Sequence, residues 1–237
     1  MLVESDRLTD ADRLAWEMLE RSDHTTAFRR RESLALRTIE RFIEEGPAYA
    51  SVSWGKDSVV IAHLTRRVDP TVPVVRVRLP VVDNPDCLSV CDEYLAGWPM
   101  AYHEVWNDKP DVKDGWLQTG QHKIGHEVAN REYGRRITGI RAAESGTRTM
   151  SARVHGRSTK NVCRPILYWP TSDVFAYLRY YDLPVHPAYA MNNGGRMDRH
   201  WLRVASIGGK RGSDRGRREW ERMYYGDVLD RMLLLER

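Results

Sequence analysis

The segment that most constrains the fold is YASVSWGKDSVVIAHL, residues 49–64. A β-rich run is followed directly by Gly55, Lys56 and Asp57, and then by an apolar stretch of helical character. A strand that leads straight into a helix exposes free backbone N–H groups at the helix N-terminus, where the helix dipole favours an anion. The segment therefore predicts an α/β fold with an anion-binding turn.

Strands and helices alternate along the rest of the chain. Helical patterns lie between the predicted strands, and two helices precede the first of them. This alternation predicts an α/β fold of three layers, with an open, mostly parallel twisted sheet and helices on both faces. After the first strand, further strands are predicted at residues 71–81, 101–106, 135–142 and 162–169.

The pattern also suggests three regions. We expect an N-terminal helical extension over residues 1–46 and an α/β nucleotide-binding core over residues 47–190. Residues 191–237 are expected to form a basic, glycine-rich segment and a C-terminal helix that pack on the core.

The charge of the chain is unevenly distributed. Residues 141–237 contain about 18 Lys and Arg against about 10 Asp and Glu, although the whole chain has a net charge of only +4. This asymmetry indicates that the C-terminal part faces an anionic partner. No apolar run approaches the roughly 18 residues of a membrane-spanning helix, and the charged N-terminus does not resemble a secretory signal. We therefore expect a cytoplasmic protein without a membrane partner.

The turn carries groups suited to a phosphate. Gly55 lets the backbone approach closely because it has no Cβ, Ser53 and Ser58 offer hydroxyl donors, and Lys56 offers a positive charge. Asp57 would repel a phosphate unless a cation lies between them, so it indicates either Mg²⁺ or capping of the helix. The turn is not a Walker A loop, because that motif requires glycine where Ala50 stands and Ser or Thr where Asp57 stands.

The turn SWGKDS resembles the PP-loop of the adenine nucleotide α-hydrolase superfamily, whose common form is Ser-Gly-Gly-x-Asp-Ser. Residues 137–148, 163–189 and 220–232 resemble, in the same order, segments of the phosphoadenosine phosphosulfate (PAPS) reductase-like family within it. In this loop Trp54 replaces the first of two glycines. We therefore expect a negative φ at Trp54, with the indole directed away from the phosphates.

The resemblance implies specific roles. The residues of the PP-loop, 53–58, would hold the phosphates of ATP or the phosphosulfate end of PAPS. Gly139 and Arg141 would lie at the tip of the fourth strand and face the same crevice, and Arg141 or Arg148 would neutralise charge on the polyphosphate or the leaving group. Glu144 would assist a metal or a ribose hydroxyl. For Arg141 a surface ion pair is the alternative role.

Two further regions are implied to contact the nucleotide. His186 would contact nucleotide or substrate, with a packing histidine as the alternative. The basic segment over residues 194–218 has two interpretations. It would close over the site and place Arg203, Lys210 or Arg211 on the phosphates, or it would form a groove that binds nucleic acid through charge and stacking.

The cysteines and histidines argue against a thiol nucleophile, an iron–sulfur cluster and a histidine metal site. Reductases of this family use a cysteine near the C-terminus as nucleophile, whereas the last cysteine here is Cys163, in a predicted buried strand. Three cysteines cannot supply a four-cysteine iron–sulfur site, so no cluster is expected. Cys87 and Cys91 are spaced as one half-buried helix face. His122 and His126 have the same spacing, and a solvated helix face is favoured over a metal pair.

These features predict an adenine-nucleotide-binding enzyme of sulfur or nucleic-acid modification metabolism. The favoured reaction is cleavage of ATP at the bond between its α- and β-phosphates, with Mg²⁺ on Asp57. AMP would pass to an unnamed acceptor and pyrophosphate would leave, with Lys56, Asp57 and Arg141 as catalytic residues. The alternatives are a reductase-type sulfur-transfer protein that uses PAPS or its 3′-hydroxyl analogue APS, and a catalytically inactive nucleic-acid-binding accessory protein. A homodimer is left open.

Overall fold

A computed structural model describes residues 1–22, 28–79, 82–106, 112–113, 116–117, 121–192, 197–199, 202–208 and 216–234. The helices are α1 (Asp10–Ser22), α2 (Phe28–Glu44), α3 (Lys56–Val68), α4 (Asp86–Gly97), α5 (Gln121–Tyr133), α6 (Gly146–His155), α7 (Thr171–Tyr180) and α8 (Arg217–Leu234). The strands are β1 (Ala48–Val52), β2 (Val74–Arg78), β3 (Tyr102–Trp106), β4 (Val112–Lys113), β5 (Trp116–Leu117), β6 (Arg135–Thr138) and β7 (Val162–Cys163).

Five of the strands form one parallel sheet in the order β3-β2-β1-β6-β7. The predicted α/β class is therefore confirmed, and β4 and β5 add a separate two-stranded antiparallel pair. The chain runs outward from β1 to β3 and then returns to place β6 on the other side of β1. The order of the strands thus reverses between β1 and β6, which is where ligands bind in open α/β sheets.

The two faces of the sheet bury different cores, because successive side chains of a strand point to opposite faces. Helix α5 covers one face, where Tyr49, Val75 and Val77 belong to a small apolar cluster. The opposite face contributes Ala50 and Val52 to a larger core shared with α2, α3, α4 and α7. Both faces are covered, as is usual for a parallel sheet.

The predicted strand at residues 162–169 is wrong beyond Cys163. Only Val162 and Cys163 pair with β6. The chain then forms local turns, in which the Leu167 N–H donates to the Arg164 carbonyl at 3.1 Å and the Trp169 N–H donates to the Ile166 carbonyl at 2.9 Å. A proline at position 165 has no N–H to give to a strand partner, which favours ending the strand before it.

The first residues of the chain are tied to the core. The Val3 N–H donates to the Val185 carbonyl at 2.9 Å, and the N-terminal ammonium donates to the Leu183 carbonyl at 2.9 Å. At the other end, α8 contains a kink at Tyr225, whose φ of −132° is not helical. Within the described ranges, no helix is both long and apolar enough to cross a membrane.

Candidate functional site

A cavity of about 400 Å³ lies at the carboxyl ends of β1, β2 and β6. The turn between β1 and α3 forms one wall, and the end of β6 with residues 138–140 forms another. Residues 202–206, from the basic segment, cover it, and His126 of α5 contributes to its lining. The cavity therefore occupies the point where the strand order reverses.

Hydrogen bonds within the turn hold its shape. The Ser58 hydroxyl donates to the Gly55 carbonyl at 2.9 Å and accepts from the Ser53 N–H at 3.2 Å. Helix α4 adds a contact, because the Cys87 thiol donates to the Ser53 carbonyl with 3.3 Å between sulfur and oxygen. Because both ends of the turn are fixed, the first residues of α3 are pre-organised rather than ordered by a ligand.

Trp54 is the one residue of the turn whose predicted backbone conformation is wrong. Its φ is +58°, in the left-handed region that favours glycine, and not negative as expected. The indole is fully buried and packs beside the rings of Tyr94 and Tyr102, with ring centroids 5.4 and 5.8 Å away. Trp54 does not line the cavity. The turn thus keeps a glycine-like backbone although a large side chain stands there.

Asp57 is held between two cations. Its Oδ1 accepts from Arg141 Nε at 2.6 Å, and its Oδ2 lies 3.1 Å from Lys56 Nζ. Burial raises the pKa of Asp57, but Lys56 and Arg141 together lower it further, so the net shift is downward. Burial lowers the pKa of Lys56, and the attraction of Asp57 outweighs it. Asp57 and Lys56 are therefore both charged at neutral pH.

Arg141 is almost completely buried behind Asp57, with 1% of its surface exposed. Besides Asp57 it donates to the Trp169 carbonyl at 3.3 Å and to the Thr171 hydroxyl at 3.1 Å. It does not line the cavity. Arg141 is thus placed to fix Asp57 rather than to touch a ligand, which differs from the catalytic contact that the sequence predicts.

The described residues do not fit a protein-bound Mg²⁺. Mg²⁺ selects carboxylate and water oxygens in octahedral geometry. Each carboxylate that lines the cavity already contacts a cationic side chain, because Glu144 binds Arg148 and Asp83 binds Arg78, as Asp57 binds Lys56. No group of three or more metal-ligating side chains occurs in the described part of the chain. The carboxylates of Asp57 and Glu144 are therefore occupied by cationic side chains and are not arranged to bind a metal ion.

Positive charge dominates the lining. Among the described residues that line the cavity, five cationic side chains face three carboxylates, so an anionic ligand would find an excess of positive charge. One of them, Arg76, is 2% exposed, and its Nη1 has no hydrogen-bond partner among the described residues. The five cations are Lys56, Arg76, Arg136, Arg148 and Arg203.

Two glycines allow close approach of the chain around the turn. A Cβ on Gly55 would lie 2.9 Å from Val204 Cγ2 and 3.0 Å from the Tyr189 hydroxyl, which cover the turn. A Cβ on Gly139 would lie 2.8 Å from the Asp57 carbonyl oxygen. Tyr189 also accepts a hydrogen bond from the Lys56 N–H at 3.2 Å. The tip of β6, Tyr189 and Val204 are thus fitted directly onto the turn.

The structure brings most of the predicted site residues together and leaves some apart. His186 is fully buried outside the cavity, accepts from the Ala188 N–H at 3.1 Å, and has its pKa lowered by burial to about 3. Trp54 and Arg141 lie behind the cavity wall, and Lys210 and Arg211 lie outside the described residues. Those that line the cavity are Ser53, Gly55, Lys56, Asp57, Ser58, Gly139, Glu144, Arg148 and Arg203.

The three cysteines are buried and remain thiols. Burial raises the pKa of Cys87 and Cys163 to about 12 and that of Cys91 to about 11. The thiolate, not the thiol, is the nucleophile. None of the cysteines of this chain is therefore suited to attack a substrate.

The sequence prediction missed several lining residues. Arg76 and Arg136 interrupt apolar strands, as in the run VVRVR of β2, and an arginine inside a strand was the available signal. Tyr189 stands in the HPAY segment beside the predicted His186, and it is Tyr189 that reaches the cavity. Asp83 carried no comparable signal, because it lies in a loop after β2.

Comparison with known proteins agrees with the motifs. The model of the phosphoadenosine phosphosulfate reductase domain matches residues 122–210. The chain is 24% identical over 209 residues to a phosphoadenosine 5′-phosphosulfate reductase of Xylella fastidiosa (strain 9a5c), covering 78% of this chain and 82% of that protein. It is 23% identical to that of Xanthomonas axonopodis pv. citri, covering 78% and 80%. The chain is therefore similar in sequence to phosphoadenosine 5′-phosphosulfate reductases over most of its length.

Solved structures are more distantly similar. A PAPS reductase from Candida auris in a phosphate complex aligns with a TM-score of 0.47 at 12% identity, over 68% of this chain and 86% of that one. The NH3-dependent NAD synthetase of Campylobacter jejuni aligns with a TM-score of 0.46 at 13% identity, over 66% and 74%.

Proposed function

We propose that this protein binds an adenine sulfonucleotide, PAPS or APS, in the cavity and promotes transfer of its sulfonate group to a thiol supplied by a second molecule. The observation that carries the proposal is the charge of the cavity. Its carboxylates are already paired, while cationic side chains line it. Such a site neutralises an anionic ligand through Lys and Arg, without requiring a metal ion to bridge two sets of oxygens.

In this proposal the turn between β1 and α3 binds the phosphosulfate end of the nucleotide. Lys56 and Arg148 line the same cavity as the N-terminus of α3, where helix dipole and side-chain charge act together. When the bond between sulfur and the bridging oxygen breaks, negative charge develops on the departing phosphate. Cations held in place before the reaction stabilise that charge without rearranging.

The nucleophile must come from outside, because the thiols of this chain are buried and protonated. In the proposed step an external thiolate attacks the sulfur atom and the sulfur–oxygen bond breaks. The nucleotide phosphate leaves with the electron pair. A second thiol then displaces sulfite, and the two thiols become a disulfide. The relatives described as PAPS reductases support this reaction class.

A second candidate is cleavage of ATP at the α–β bond, which the sequence favoured. The observation for it is the turn itself, whose Lys56, Asp57 and Ser58 follow the PP-loop pattern. The pairing of each cavity carboxylate with a cation weighs against it, since ATP normally enters such sites with Mg²⁺.

Calorimetric titration with PAPS, APS and ATP, each with and without Mg²⁺, separates the two. We expect a sulfonucleotide to bind without Mg²⁺. Removing one charge-assisted contact, in Lys56→Ala, should weaken this binding about tenfold or more. The exposed Lys123→Ala is the matched control and should bind as the wild type does.

The reaction is tested by product release. Sulfite should appear from the bound sulfonucleotide only when a dithiol is added, and no pyrophosphate should appear from ATP. Pyrophosphate release that depends on Mg²⁺ and is lost in Lys56→Ala would instead establish the second candidate. Failure of all three nucleotides to bind would contradict both.

A further inference from the structure

Residues 202–208, here called the covering segment, lie over the cavity and are held from two sides. The first five of these residues line the cavity. On one side the covering segment pairs with the loop that follows β2. The Ile207 N–H donates to the Val82 carbonyl at 2.7 Å, and the Asn84 N–H donates to the Ala205 carbonyl at 3.3 Å. On the other side the covering segment contacts α8.

The contact with α8 is made by one buried ion pair. Arg217 Nε donates to Glu221 Oε1 at 2.7 Å, and the two residues are 7% and 1% exposed. Each partner also binds the backbone of the covering segment. Arg217 Nη2 donates to the Ser206 carbonyl at 3.0 Å, and Glu221 Oε2 accepts from the Gly208 N–H at 3.2 Å. The ion pair therefore holds the covering segment at two points.

The ion pair is not placed to support the helix itself. Arg217 is the first residue of α8, where the helix dipole disfavours a cation. An arginine that precedes a glutamate by four residues is also the less favourable order for a helical ion pair. Burial of both charges costs further free energy, because water no longer solvates them. What the pair holds explains its presence better than the stability of α8 does.

The pair can act on a ligand only through the covering segment, because neither Arg217 nor Glu221 lines the cavity. Arg203 lies in the covering segment and is one of the cationic side chains of the lining. Ser206 is three residues further along the chain, at most about 10 Å away even in an extended backbone. Fixing Ser206 and Gly208 therefore restricts where Arg203 can lie before a ligand arrives.

We propose that Arg217 and Glu221 are positioning residues, which hold the covering segment over the cavity so that Arg203 stands at the cavity in the unliganded protein. A cation that is already in place spares a ligand the free energy of ordering a flexible segment. The holding of the segment does not rest on the proposed function. The benefit to binding does rest on it, because it assumes that an anionic nucleotide occupies the cavity.

Hydrogen–deuterium exchange of the ligand-free protein tests whether the segment is held. Glu221→Gln keeps the size of the side chain but removes its charge, so the bond from the Gly208 N–H is weakened. We expect peptides that span residues 202–208 to exchange about tenfold faster or more, and peptides of β1 to exchange as in the wild type. An unchanged rate at residues 202–208, or an equal rise in both regions, would contradict a positioning role.

Arg217→Lys is the second variant, and it carries the test if Glu221→Gln does not fold. Lysine keeps a positive charge beside Glu221 but cannot make the two directed bonds of the guanidinium group. We expect faster exchange at residues 202–208, though less fast than in Arg217→Gln. The matched controls are Arg222→Gln and Asp230→Asn, which remove an exposed ion pair of α8 and should leave the exchange unchanged.

Calorimetric titration with APS and PAPS tests the effect on the cavity. Arg203→Gln and Glu221→Gln should each weaken binding about tenfold, the effect of one charge-assisted interaction. The double variant should bind no more weakly than either single variant, because both changes remove the same contact. Additive losses would show that Glu221 does not act through Arg203 and would overturn the inference.

The remaining outcomes separate this inference from the proposed function. If neither APS nor PAPS binds the wild type, the proposed function fails, and the exchange at residues 202–208 still decides whether Glu221 holds the segment. If their binding depends on Lys56 but not on Arg203 or Glu221, the proposed function stands and the positioning role is overturned.

Discussion

Two arginines lie five residues apart in the chain, Arg136 in β6 and Arg141 beyond its end. They differ in whether a counter-charge balances the guanidinium group. Arg141 is buried behind the turn, with Asp57 as its counter-ion and the Thr171 hydroxyl as a further acceptor. Arg136 lines the cavity and has neither kind of partner within the part of the chain that the structure describes. The difference shows that two arginines close together in the chain can differ in whether the fold supplies a counter-charge.

The largest expected effect on stability comes from replacing Arg141, the arginine that is paired with Asp57. Arg141→Gln would leave Asp57 with Lys56 alone and remove the bonds to Trp169 and Thr171. Loss of one partner from a buried ion pair costs about 3–5 kcal/mol of unfolding free energy. Urea denaturation measures it, with Arg136→Gln as the matched charge removal. Equal destabilisation by the two substitutions would contradict the comparison.

A smaller effect is expected where β6 meets the turn. In Gly139→Ala the new methyl group would lie 2.8 Å from the Asp57 carbonyl oxygen, so the backbone must shift. We expect a loss of about 1–3 kcal/mol and weaker nucleotide binding. Gly146→Ala, at the start of α6, meets nothing within 4 Å and should be neutral or slightly stabilising. A Gly139→Ala protein as stable as Gly146→Ala would show that the turn and β6 are not tightly fitted.

The smallest expected effect on stability concerns the backbone conformation of the turn at Trp54. Trp54→Ala and Trp54→Gly both lose the buried indole, but only glycine adopts a φ of +58° without strain. Trp54→Gly should therefore be more stable than Trp54→Ala by about 1–2 kcal/mol, measured by thermal or urea unfolding. An alanine variant as stable as the glycine variant would indicate that the turn relaxes once the indole is removed.

Trp54 also shows where sequence reasoning reaches its limit. The order of strands and helices and the position of the turn follow from local pattern, and the fold confirms them. The φ of Trp54 does not follow from local pattern, because packing against other parts of the fold imposes it. The backbone keeps the conformation suited to glycine, and the burial of the indole beside Tyr94 and Tyr102 offsets the strain.

The charges of the site were harder to predict than its location. Arg141 was expected to reach the ligand, yet its partners Asp57, Trp169 and Thr171 come from three distant parts of the chain. Arg136 was not singled out, although an arginine inside a strand was a signal that it could line the cavity. Which arginine is paired depends on the three-dimensional neighbourhood, and a single sequence gives only the residue types.

The short strand β7 has a consequence for how the protein behaves at high concentration. An exposed sheet edge is a template on which another chain can add a strand and begin to aggregate. Here the edge ends after Val162 and Cys163, and basic residues Lys160 and Arg164 flank it. The edge is also already paired within the chain, because the Thr159 N–H donates to the Val162 carbonyl at 2.9 Å and Ser158 forms an antiparallel bridge with Cys163. The segment that folds back on β7, together with Lys160 and Arg164, thus protects this edge against self-association.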